Sequence, residues 1–66
     1  MKKLTEKELE ILKLVTEGYA NHEISKMIYL SSHTVKAHIS SIIRKLEARN
    51  RTNAVTIAIT NNILNL

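Results

Sequence analysis

The chain has 66 residues and a formal net charge of +4, with hydrophobic residues at 44% and aromatic ones at only 3%. That length supports one small domain with a modest core, and the core must be aliphatic because Phe and Trp are absent. Without Cys there is no disulfide framework and no thiolate metal site, and with no membrane-length apolar run or signal-peptide pattern the expectation is a soluble cytoplasmic domain that does not engage a membrane.

With Pro absent and a single Gly, the chain reads as helices joined by short turns. The expected fold is all-α, a four-helix bundle forming one domain over residues 1–66, with helices at about 5–17, 21–28, 32–46 and 51–62. Thr5-Glu6-Lys7-Glu8 has the form of a capping box, and Leu4 and Leu9 are placed for a hydrophobic staple. Leu9, Leu12 and Val15 recur at helical spacing, Ile11 widens the stripe, and Gly18 is suited to close the helix in a left-handed conformation. Asn21 is expected to cap a short second helix whose apolar side is Ile24, Met27 and Ile28. Ser31 is expected to cap the third, where Leu30 and Val35 repeat the staple spacing. Along that helix Val35, Ile39, Ile42, Ile43 and Leu46 fall within about a third of a turn, opposite His33, Ala37, Ser40 and Arg44. Asn50 is expected to cap the fourth, with Ala54, Val55, Ala58 and Ile59 on one face.

The charge is unevenly placed. Met1 to Ser25 is nearly balanced, whereas Lys26 to Arg51 holds Lys26, Lys36, Arg44, Lys45, Arg49 and Arg51 against Glu47 alone. A basic centre suits a polyanionic partner, although a solvated basic face would have the same composition. Catalytic readings fit poorly. A zinc-protease helix would need a second His four residues after His22, where Lys26 stands, and His33 and His38 lie about 140° apart on their helix. Neither a metal nor a cofactor is expected.

A short capped helix, a brief turn and a longer amphipathic helix have the sequence form of a helix-turn-helix. In that arrangement the second helix enters the DNA major groove, and its outward residues must be small or able to donate. Ala37, Ser40 and Ser41 are small, Ser40 can hydrogen-bond to base edges, and Lys36 can donate to guanine N7 or O6. Arg44 and Lys45, one to two turns further on, are placed for phosphates.

The stretch "LTEKELEILKLVTEGYANHEISKMIYLSSHTVKAHISSIIRKLEARNRTNAV" resembles the LuxR-type DNA-binding domain, also called the GerE or NarL/FixJ output domain. The likeness is carried by "LT" with Glu8, "LKLVTEG", Asn21 with "EIS", "TVKAH" at 34–38, "KL" at 45–46 and "RTNAV" at 51–55, in order and without a gap. It implies a third helix that reads double-stranded DNA, a fourth that mediates homodimerisation, and RNA polymerase as a further partner. A phosphorylated receiver or a ligand-binding domain usually precedes such a domain. The chain is expected to be the output half of a two-component response regulator, with a stand-alone regulator as the alternative.

The resemblance puts Lys36 in the place of a Lys that contacts bases or phosphate, with Ala37 and Ser40 at adjacent groove-facing positions. Ser40 stands where some relatives carry Lys or Arg, so Lys36 is the main direct reader. His33 joins the outward arc. Thr34, His38 and Lys45 match positions that support the helix or touch the DNA backbone, and Asn21, Arg51 and Thr52 resemble further backbone contacts. Local alternatives stand beside these roles. Thr34 and Thr52 could complete caps, His38 could bond between helices, and Arg51 could pair with Glu47 or a first-helix carboxylate. On the fourth helix Asn53, Thr56, Ile57 and Thr60 form an uncharged side expected to self-associate. The rival readings are a protein-interaction module binding an acidic partner and, more remotely, a hydrolase using His22 and Glu23.

Overall fold

The computed structural model describes residues 2–65. Four helices follow in order: α1 (Glu6–Thr16), α2 (Asn21–Met27), α3 (Ser32–Lys45) and α4 (Arg51–Thr60). No strand occurs among the described residues, so the all-α, four-helix expectation holds. α3 is the hub: it packs against α1, α2 and α4, and α1 also touches α4.

Three of the helix starts are built as their cap residues dictate. Thr5 accepts from the Glu8 amide at 3.1 Å while the Glu8 carboxylate accepts from the Thr5 amide at 2.8 Å, a complete capping box. Ser31 accepts from the Thr34 amide at 3.0 Å, and Asn50 accepts from the Asn53 amide at 2.8 Å. α2 departs from expectation. Its cap is Ala20, which has no acceptor, and only the returning half of the box exists, with the Ala20 amide donating to Glu23 at 2.8 Å. Asn21 is the first helical residue, so its side chain is free for another role.

The helix ends share one geometry. Gly18, Tyr29, Glu47 and Asn62 each follow a C-cap with positive φ, at 95°, 57°, 56° and 51°. The next amide then turns back onto the helix: Tyr19 to the Leu14 carbonyl at 3.2 Å, Leu30 to Ser25 at 3.0 Å, Ala48 to Ile43 at 2.9 Å and Ile63 to Ala58 at 2.9 Å. This is the Schellman closure, which satisfies carbonyls the helix leaves without partners. Only the first uses glycine, for which the left-handed region carries no steric penalty.

The core is aliphatic. Ile11, Leu12 and Val15 of α1 meet Ile24 of α2, Val35, Ile39 and Ile42 of α3, Leu46 just beyond it, and Ala54 and Ala58 of α4, with Leu4 sealing one end. Two apolar faces are rotated from the expected ones. Met27 is exposed, leaving Ile24 as the buried anchor of α2. On α4 the order reverses: Ile57 is half-buried against the core, and Ile59 is 62% exposed. Apolar residues spread over more than half of the circumference of α4, so its sequence does not fix the centre of the buried face. α4 packs against both α3 and α1, and the fully buried residues on its inner side are the small Ala54 and Ala58.

Tyr29 combines a left-handed backbone with a ring that is 93% exposed. It bears the steric cost of that conformation without burial in return. Tyr29→Gly is expected to stabilise the domain by roughly 0.5–1 kcal/mol, once the greater freedom of glycine in the unfolded chain is subtracted. The check is a higher urea midpoint at an unchanged slope.

Candidate nucleic-acid interface

Burial of Val35, Ile39, Ile42 and Leu46 turns the opposite arc of α3 outward. Ser32, His33, Lys36, Ala37, Ser40 and Arg44 are all exposed there. The Lys36 side chain has no hydrogen bond or ion pair among the described residues. Arg44 makes one marginal contact, to the Ser41 hydroxyl at 3.5 Å. Ala37 and Ser40 lie between them, so the helix backbone itself forms much of this surface. From His33 to Arg44 the arc runs about 16 Å, the length of about five base-pair steps. At the start of the arc the Ser32 and Ser25 hydroxyls meet at 3.4 Å, which aligns α2 with the beginning of α3.

Thr34 and His38 lie half-buried on the flank of this arc. Thr34 completes the local cap: its amide donates to Ser31, and its hydroxyl accepts from the Ser31 hydroxyl at 2.9 Å. These bonds give Thr34 a capping role, one of the two alternatives the sequence left open.

Glu8 is the one charged residue buried among those described, at 3% exposure. Its carboxylate reaches across to α3, where Ser41 donates to Oε2 at 2.8 Å and Lys45 Nζ donates to Oε1 at 2.8 Å. With the Thr5 amide on Oε1, three donors converge on one carboxylate. Two readings of the sequence change here. Ser41 is not merely a small residue on the outer surface, and Lys45 is an ion-pair partner with a side chain only 21% exposed. The sequence showed the cap role of Glu8, but nothing local pointed to partners 33 and 37 residues away. Burial by itself pushes the Glu8 carboxyl up. The bonds from Lys45, the Thr5 amide and Ser41, together with the Lys45 charge, outweigh burial and hold it down to about 2.

A second tie joins α4 to the start of α2. The Arg51 guanidinium donates to Asn21 Oδ1 and, at 2.8 Å, to the Tyr19 carbonyl. The two acceptors suit a guanidinium fork, which an ammonium cannot match. Asn21 and Arg51 are thereby brought together and half-buried, while Thr52 beside them is exposed. On α4, Asn53 is occupied by capping: its side chain accepts from the Arg49 amide at 2.9 Å. The outward side consists of Thr52, Thr56, Ile59 and Thr60, so Ile59 takes the place expected of Ile57. No charged side chain follows Arg51.

Residues 2–58 match a protein-family model described as bacterial regulatory proteins, luxR family. Over 61 residues the chain is 46% identical to the response regulator protein VraR of Staphylococcus aureus, and equally to the proteins of that name from Staphylococcus saprophyticus and Staphylococcus epidermidis. These matches cover 92% of the chain and 29% of each relative. The chain thus spans less than a third of the length of the curated relatives it matches.

The Glu8 geometry sets an acid dependence. Its folded-state pKa lies below the ordinary 4.5, so its contribution to stability is complete above about pH 4.5 and is lost as the pH falls through about 2. The shift corresponds to about 3 kcal/mol. Glu8→Gln is expected to lower stability at pH 7 by that order and to flatten the acid limb. Chemical denaturation of both proteins between pH 7 and pH 2 should show the two stability curves converging at the acid end.

Proposed function

The chain belongs to the luxR family of bacterial regulatory proteins, and from that premise we propose that α3 is its DNA-reading helix and α4 its pairing helix. It is a helix-turn-helix domain of transcription regulation and not an enzyme. The observation that carries the proposal is the outward arc of α3, where small side chains lie between exposed cations. A helix that only needed solubility would fill this arc with long charged side chains. Ala37 and Ser40 instead allow close approach to the floor of a major groove.

In this reading Lys36 donates to guanine N7 or O6, Ser40 bonds to a base edge, and Ala37 packs against the floor, against a thymine methyl where one is present. His33 and Arg44 mark the two ends of the arc and meet phosphates, with His38 and Thr34 on its flank. Asn21, Arg51 and Thr52 cluster where α2 and α4 begin, and helix starts offer free amides to phosphate oxygens. Lys45 supports the helix through Glu8 instead of reaching the DNA.

The uncharged outward side of α4, where Ile59 is 62% exposed, supports pairing of two copies. Two-fold pairing would set half-sites about 10 bp apart, centre to centre. Full-length relatives bear the name response regulator, and the proposal extends that role to the protein containing this domain. It would then act in the cytoplasm, where promoter DNA brings it to RNA polymerase as a further partner.

Selection from random duplex DNA tests the central claim, and enrichment of no sequence would favour a module that binds an acidic protein. On the selected site, the logarithm of the binding constant should fall with log salt at a slope of about −4 to −5, for four to six neutralised phosphates. Lys36→Ala should cost roughly 1–3 kcal/mol of specific binding without unfolding the domain. Ile59→Glu should abolish cooperative occupancy of paired half-sites while single-site binding persists, read by gel shift on one and two half-sites.

A further inference from the structure

α3 has two very different lateral constraints. Its inner face is aliphatic, with Val35, Ile39, Ile42 and Leu46 packed on α1, α2 and α4. Smooth aliphatic contacts resist separation of helices more than they resist a small rotation, because dispersion and burial are not directional. Its flank is polar. Ser41 and Lys45 are four residues apart, about 40° around the axis, and they grip separate oxygens of the buried Glu8 carboxylate.

That carboxylate is itself fixed by the Thr5 amide at the start of α1. The chain before α1 adds another bond to the same end of α3, from the Lys2 amide to the Lys45 carbonyl at 3.1 Å. A rotation of α3 by about 20° would move atoms at its outer radius, about 5–6 Å, by about 2 Å. The hydrogen bonds that distinguish bases tolerate only a few tenths of an ångström. The three bonds to Glu8 have the same narrow tolerance, so they oppose the rotation that base reading could least accept.

We infer that Glu8, Ser41 and Lys45 form a clamp that sets the rotation of α3, making them positioning residues for sequence discrimination and not contacts to DNA. The inference rests on the proposed DNA-reading role of α3. It assigns a second duty to a carboxylate whose sequence context shows only a helix cap. It also removes Lys45 from the phosphate contacts, although its place at the end of a basic helix suggests one.

The test compares wild type, Glu8→Gln, Lys45→Met, Lys45→Arg and Ser41→Ala on the duplex selected by the wild-type chain and on a random duplex of equal length. Affinities are measured over a series of salt concentrations, with circular dichroism to establish folding. Glu8→Gln and Lys45→Met should lose about tenfold or more on the selected duplex and less than about twofold on the random one. Lys45→Met should keep the wild-type salt slope, and Lys45→Arg should restore most of the discrimination. A slope reduced by about one, with equal losses on both duplexes, would make Lys45 a phosphate contact and overturn the clamp. An unchanged ratio in Glu8→Gln would overturn it as well. If Glu8→Gln or Lys45→Met does not fold, Ser41→Ala gives the same readout, because it removes one donor and leaves the ion pair; a loss of about threefold in the ratio is expected, and none would overturn the clamp. Failure of the wild type to enrich any sequence would instead remove the DNA-reading role itself, before any variant is compared.

Discussion

A carboxylate taken out of water must have its oxygens satisfied, and much of this domain is arranged around satisfying Glu8. The cost of burying an unpaired charge is several kcal/mol, comparable to the whole stability of a domain this small. Three donors meet that demand: the Thr5 amide, the Ser41 hydroxyl and the Lys45 ammonium. One group therefore starts the first helix, binds it to the third and removes one cation from the basic surface. No buried side-chain polar atom among the described residues lacks a partner. Such a network specifies one arrangement of α1 on α3, because a half-satisfied alternative would be costly.

With α3 held this way, its faces divide the work. The aliphatic face supplies most of the burial, the Ser41–Lys45 flank supplies orientation, and the outer arc is left open. The available positive charge is then narrower than composition suggests. Lys45 is neutralised by Glu8 and Arg51 is occupied by Asn21 and Tyr19, whereas Lys26, Lys36, Arg44 and Arg49 are exposed. An anionic ligand would be drawn chiefly to the surface that carries Lys36 and Arg44.

The Arg51 fork does for α4 what Glu8 does for α1. It links the first turn of α4 to the start of α2 and to Tyr19 ahead of it with directional bonds, whereas the buried Ala54 and Ala58 offer only small apolar surfaces. Short helices need such ties, since seven or ten residues hold little helical stability alone. The four Schellman closures serve the same end by satisfying carbonyls at every helix terminus, even where Tyr29, Glu47 and Asn62 must accept a left-handed backbone.

Local chemistry made much of this legible in the residues. Thr5, Ser31 and Asn50 announce three helix starts, Gly18 announces an end, and the spacing of Val35, Ile39, Ile42 and Leu46 specifies both faces of α3 at once. The "TVKAH" and "RTNAV" stretches carry the family. What stayed hidden depended on contacts between distant segments. The phase of α4 could not be read because its apolar residues spread over more than half of the circumference, so Ile57 and Ile59 exchanged places. The loss of Asn21 as a cap was equally hidden, because Arg51 binds its side chain from 30 residues away. The partner of Lys45 lies 37 residues away in sequence, and no periodicity encodes such a pair. By itself, then, the sequence determined where helices begin and which side of α3 faces inward, because caps and periodicity act within a few residues. Only the tertiary structure decided which cations remain open and how α3 and α4 are rotated, because those depend on which side chains meet once the helices pack.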